Sequence, residues 1–145
     1  AGHEEYFKLI GSQFAAHPPI EPYAVSVIDD DHIVSEGCDD FEVVGGDELY
    51  YMHMFDDVRV LMEATTQGEA RGFAERTWNS GMTHPVLYEK KIENGAILYC
   101  TLGHRRGHWD MEPLTNYYKK EELGAWELPI FDRILRNSIK WLQEK

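Results

Sequence analysis

At 145 residues the chain is long enough to bury a core and short enough to form one domain over 1–145. A formal net charge of −12 argues against a nucleic-acid binder, since phosphate recognition needs clustered Lys and Arg, and no apolar run approaches the roughly 18 residues of a membrane span. The two cysteines, Cys38 and Cys100, lie far apart without a Cys-x-x-Cys spacing, which reads as two free thiols in a reducing, cytoplasmic location, with a single disulfide as the alternative.

In chain order, Glu4 to Ile10 reads as a short helix stopped by Gly11, and His17-Pro18-Pro19 forces an extended segment because a residue before proline is driven out of the helical region. Tyr23 to Ile28 and Phe41 to Val44 are strand candidates, closed by Asp29-Asp30-Asp31 and Gly45-Gly46-Asp47. Leu49 to Phe55 and Val58 to Ala64 follow, and residues Thr65 to Arg71 are polar enough for a loop. A hairpin occupies about 86–102, with Val86 to Ile92 and Ala96 to Leu102 flanking Glu93-Asn94-Gly95; Asn-Gly tolerates positive φ and is a strong hairpin signal. Met111 to Trp126 reads as a long loop with a helical turn near Tyr117-Tyr118. The last element is a helix over about 128–142, with Pro129 in its first turn and an apolar stripe of Phe131, Ile134, Leu135, Ser138, Ile139 and Leu142. An open α/β domain normally begins with a strand, so this order reads as one that starts in the middle.

The hairpin's second arm releases Gly103-His104-Arg105-Arg106-Gly107-His108-Trp109-Asp110 in quick succession. In open α/β proteins ligands sit in the crevice beyond strand ends, so this cluster marks a site. His104, at the strand end, either does chemistry or ties the loop to backbone carbonyls. His104 and His108, four apart, can share a face and hold a divalent metal if the intervening residues make a helical turn, which Gly107 opposes. His3 is a further metal candidate. In Asp47-Glu48-Leu49-Tyr50, an extended backbone puts Glu48 and Tyr50 on one face, where the carboxylate can act as a general base or the run can be a solvated acidic edge. His17 is braced by two prolines, and His84, before Pro85, is expected in the same crevice as His104. His53, in an apolar setting, reads as a core histidine. Arg105 and Arg106 suit an anionic or polyhydroxyl ligand.

Four segments in order resemble the trehalose-utilisation (ThuA-like) family: Tyr6-Phe7-Lys8-Leu9-Ile10-Gly11-Ser12-Gln13-Phe14-Ala15-Ala16-His17-Pro18; His32-Ile33-Val34 through Asp40-Phe41-Glu42-Val43 to Asp47-Glu48-Leu49-Tyr50; His84-Pro85-Val86-Leu87-Tyr88 with Asn94-Gly95; and Tyr99 through Thr101-Leu102-Gly103-His104, closing with Ile139-Lys140-Trp141. The chain departs from the family at His32-Ile33, where a proline usually intervenes.

The resemblance implies a flavodoxin-like, class I glutamine amidotransferase-like three-layer α/β sandwich, of which this chain is similar to the C-terminal portion. The chain is then a fragment or an abbreviated variant lacking the N-terminal strands, or a second chain supplies them, with a homo-oligomer as the alternative. The resemblance further implies a small-molecule sugar ligand, a trehalose-type disaccharide or its keto derivative. On that reading His104 and Glu48 transfer protons, while His17, Tyr50, His84, Arg105 and Trp109 bind substrate. The tryptophans of the loops, Trp78, Trp109 and Trp126, either stack on sugar rings or plug the loops onto the core. A noncatalytic sugar-binding or protein-interaction module and a metal-dependent hydrolase are the alternatives. Glutaminase chemistry is not expected, because neither Cys38 nor Cys100 stands in a glycine-flanked nucleophile turn.

Overall fold

The computed structural model describes residues 3–55, 58–79, 81–107 and 121–144. The helix α1 (Glu4–Ile10) stops at Gly11, whose amide returns to the Phe7 carbonyl at 2.8 Å. No residue of α1 is buried; its Phe7 ring stacks on Phe55 at 6.2 Å. The chain then enters β1 (Ser12–Ala16), a strand missed by sequence reading, which pairs antiparallel with β4 (Tyr51–Met54) in a two-stranded sheet.

The main sheet has five strands. In chain order these are β2 (Tyr23–Val27), β3 (Phe41–Val43), β5 (Arg59–Thr65), β6 (Thr83–Ile92) and β7 (Gly95–Cys100), arranged β3-β2-β5-β6-β7. All four neighbouring pairs are antiparallel. The fold is therefore α/β with two helices and two sheets, and the flavodoxin-like three-layer sandwich is not reproduced by the described residues. The reason is connectivity. Parallel neighbours need crossovers of about a dozen residues or more, usually helical, whereas no α-helix lies between β1 and β7 among the described residues.

The interior strand β6 is buried from His84 through Lys90, so it is covered on both faces. Val25, Leu61, Met62, Val86 and Leu87 fill the core, joined by Leu49, Tyr51 and Val34. The predicted hairpin is present, with Leu87 opposite Cys100 and Ile92 opposite Gly95. Its turn differs in phase from the Asn-Gly expectation: Glu93 takes the positive φ, at 48°, and Gly95 already belongs to the strand.

The helix α2 (Pro129–Gln143) starts with proline in its first turn, as predicted, and packs against a 3₁₀ turn at Ile33–Ser35. His32 caps that turn by accepting the Val34 amide at Nδ1, 3.2 Å. The buried face of α2 is Phe131, Ile134, Asn137 and Trp141, whereas Leu135, Ile139 and Leu142 of the predicted stripe are exposed. Asn137 explains the rotation: its amide donates to the Val34 and Glu36 carbonyls at 3.2 and 3.0 Å, so a polar residue occupies a core position with its bonds made. No helix among the described residues is long and apolar enough to cross a membrane. The turn predicted at Tyr117-Tyr118 lies outside the described residues.

Candidate active site

Three separated segments converge on one carboxylate. Asp47 follows the turn after β3, Gly103 and His104 follow β7, and Ala125 opens the approach to α2. Gly124 makes the approach sterically feasible, because a Cβ there would lie 2.6 Å from the His104 carbonyl oxygen and 2.9 Å from an Asp47 carboxylate oxygen. Gly103 has φ 104°, and its Cβ would strike the Phe131 ring at 2.8 Å. Larger residues at either position would push the segments apart.

The Asp47 side chain is fully buried. Its Oδ1 accepts the Glu48 amide at 2.7 Å, the His104 amide at 3.3 Å and His104 Nδ1 at 3.0 Å. Its Oδ2 accepts the Gly103 and Ala125 amides at 2.9 and 3.1 Å. Burial alone would raise the carboxyl's proton affinity. The His104 hydrogen bond and the backbone amides outweigh it and hold the group below the usual carboxylate range.

An ionised carboxylate can only accept, so His104 carries a proton on Nδ1 and turns Nε2 toward its other neighbours. Nε2 lies 2.5 Å from the Tyr50 hydroxyl and 3.5 Å from Glu48 Oε2. The hydrogen bond to Asp47 raises the imidazole above its ordinary value against an opposing effect of burial. Burial, with Glu48 nearby, pushes the Tyr50 phenol up to about 12. At neutral pH the phenol is therefore protonated, while the charged form of His104 is favoured.

Glu48 is held from two further directions. The Arg106 guanidinium contacts its Oε1, and His17 Nε2 lies 3.9 Å from the same oxygen. His17 is fixed because its Nδ1 donates to the Pro18 carbonyl at 2.7 Å, so the proline-braced segment does orient the ring. Arg106 also reaches Glu122 Oε2 at 3.4 Å, and the two residues form an antiparallel backbone bridge. A small cavity of about 10 Å³ opens between Asp47, Glu48, His104, Arg106 and Glu122, lined also by Ile20, Gly46 and Gly124. The Trp126 indole beside it donates to the Gly103 carbonyl at 2.8 Å.

Of the residues singled out from sequence, His104, Glu48, Tyr50 and His17 come together. His84 does not join them. It is buried against Tyr51, with ring centroids 4.5 Å apart, and bonds the Thr66 hydroxyl at 3.0 Å. Its place near the start of β6, opposite Ala64 of β5, takes it into the covered interior. Arg105 points to Glu121 at 2.8 Å, and its neighbour Arg106 takes the inward position. Consecutive residues of an extended segment face opposite ways, so the phase decides which arginine enters. His53 is exposed and pairs with Glu75 at 2.8 Å, contrary to the core position expected for it. His3 is exposed, near Phe7 alone among rings of the described residues.

His108 and Trp109 lie outside the described residues, as does the His104–His108 metal pair. Among the described residues no group of three or more His, Cys, Asp or Glu is arranged to hold a metal ion. Both cysteines are free thiols.

Sequence reasoning missed Asp47 as a site member and, of the arginine pair, took Arg105 and not Arg106 as the substrate-binding one. The signal for Asp47 was a lone carboxylate between a Gly-Gly turn and the Glu48–Tyr50 alternation, but nothing local shows that distant amides will surround it.

A sequence description of the trehalose-utilisation (ThuA) family matches residues 1–120, most of the chain and all of the residues just described except Glu121, Glu122, Gly124, Ala125, Trp126 and Phe131. The chain belongs to the trehalose-utilisation family. No curated protein and no solved structure shows significant similarity to it. Family membership makes this a trehalose-utilisation-related protein and places the Asp47–His104–Tyr50 chain of hydrogen bonds within the matched region.

Proposed function

We propose that this ThuA-family protein is an enzyme that moves protons on a trehalose-type disaccharide or its keto derivative. The observation that carries the reading is the continuous chain from Asp47 through His104 to Tyr50, with Glu48 beside the same imidazole nitrogen. Asp47 orients the ring and stabilises its charged form. When His104 is an imidazolium, its Nε2–H bonds the Tyr50 oxygen and the phenolic proton is directed outward to a substrate oxygen. Tyr50 gives up that proton and recovers one from His104, so the pair acts as a general acid whose reservoir is the imidazole. Glu48 Oε2, the oxygen not engaged by Arg106, serves as the base that accepts a proton from the substrate. One proton leaves the sugar and one arrives, and no electron transfer is required.

Arg106 and His17 keep Glu48 in place, which matters because acid–base groups act only within hydrogen-bonding reach of the reacting atom. The test is turnover of trehalose and of its 3-keto derivative by wild type, His104→Ala and Glu48→Gln. Loss of a positioned acid or base is expected to slow turnover by about 10²- to 10⁴-fold. Unchanged turnover in both variants sinks the assignment. Binding without turnover in the wild type would instead mark a sugar-recognition module.

A further inference from the structure

The acid–base cluster continues on one side into an aromatic shelf. Tyr50 meets His104 with ring centroids 4.9 Å apart and meets Phe14 edge-on at 4.5 Å. Phe14 meets Phe73 at 5.8 Å, and Phe73 meets His17 at 4.8 Å, both edge-on. The four rings come from separate parts of the chain: Phe14 from β1, His17 from the proline-braced segment, Tyr50 from the approach to β4, and Phe73 from the connection between β5 and β6. Phe14 keeps 39 % of its surface exposed, although it stands in a strand. The register of β1 against β4 breaks between Phe14 and Ala16, and irregularities of this kind re-aim side chains beside functional sites.

The polar end of the site is small. Its cavity, about 10 Å³, has room for little more than one water and falls far below the ~300 Å³ at which pockets for larger organic ligands begin. A sugar ring therefore lies across the mouth of the site, a second linked ring must extend past it, and the shelf adjoins the acid–base cluster through the contacts of Tyr50 with His104 and Phe14. A sugar ring has an apolar face of C–H bonds that suits the flat, weakly negative face of a phenyl ring.

We infer that Phe14 and Phe73 form a ring-stacking subsite, so that the site selects saccharides of two linked rings over single rings. One ring presents its oxygen atoms to Tyr50, His104 and Glu48, and the other lies on the shelf. This inference rests on the sugar reading proposed above and adds the residues that set the length of the substrate.

Calorimetric or ligand-observed NMR titrations with trehalose and its 3-keto derivative, against glucose and 3-ketoglucose, test it. In Phe73→Ala and Phe14→Ala, two-ring ligands are expected to bind about five- to tenfold more weakly, while single rings change less than about twofold. If the two-ring ligands are turned over, the loss falls on KM with kcat preserved. Phe73→Leu keeps an apolar side chain but removes the flat face, so it should show the same selective loss with a near-native melting temperature even if the alanine variant folds poorly. Equal losses for one and two rings, or none for either, overturn the subsite while leaving the acid–base reading intact. A wild-type protein that binds none of the four sugars overturns the sugar reading and the subsite together.

Discussion

His104 and His84 are both drawn substantially out of water, yet the protein treats their imidazoles in opposite ways. At His84 burial acts alone and lowers the ring to about 4, and its neighbours are a hydroxyl and aromatic faces. The Thr66 hydroxyl donates to the Met82 carbonyl at 2.9 Å, so it accepts from His84 Nε2, a bond suited to a neutral ring. At His104 the buried Asp47 carboxylate reverses the sign and favours the charged form. Burial does not decide what an imidazole does; the charge of the atom facing its nitrogen does. His84 is held neutral by burial, and at His104 the charged form is favoured.

The sharpest way to break this contrast is Asp47→Asn. It preserves shape but removes the anion, so His104 should titrate at lower pH by NMR and turnover should fall by about 10²- to 10⁴-fold. Buried amides left with poorer acceptors should cost about 1–3 kcal/mol in urea unfolding. A variant whose His104 titrates as in the wild type would show that the carboxylate is not what sets the ring's charge.

The two histidines should also give the stability profile opposite slopes. His84 has a folded value near 4 against an ordinary value of 6.5, so its contribution is complete above about pH 6.5 and is lost as pH falls toward and through 4, worth about 3 kcal/mol in all. His104 has a raised folded value, so its contribution is complete below the unfolded value and is lost as pH rises through the folded one. Urea melts across pH 4–8 should therefore flatten on the acid side in His84→Gln and on the neutral side in His104→Gln. Identical profiles for the two variants would remove the distinction.

The smallest expected effect separates neighbouring arginines. Arg106→Ala strips the guanidinium from Glu48 and Glu122 and should cost about 1–3 kcal/mol, because it removes charge-assisted bonds at a mostly covered position. Arg105→Ala, on the exposed side, should change stability by no more than ~0.5 kcal/mol. Equal losses would mean that the phase of this segment has been misassigned.

Elements with signals inside their own sequence were legible before any coordinates. The helix α1 appears with the bounds expected from its apolar spacing and Gly11, and the hairpin forms where β-formers flank Asn94-Gly95. The strand β1 was not legible, because Ser12–Ala16 has no strong alternation and becomes a strand by pairing with β4. The rotated face of α2 was hidden for a related reason: Asn137 earns its buried place through carbonyls about a hundred residues away. Glu48, Tyr50, His17 and His104 could be found because each stands at a local oddity, an acid–phenol alternation, a proline pair or a strand end. Asp47 could not, since its importance comes from amides at Gly103 and Ala125. The parallel architecture implied by family resemblance depends on long-range pairing, which local pattern does not report.

The Asp47 carboxylate clasps residues 47–48, 103–104 and 125 at once. The atoms that set the proton affinity of His104 are thus also a latch among stretches of chain that meet only after the sheet and the approach to α2 have come together. Any substitution that loosens this latch is therefore expected to change the proton affinity of His104 together with the packing of the three stretches.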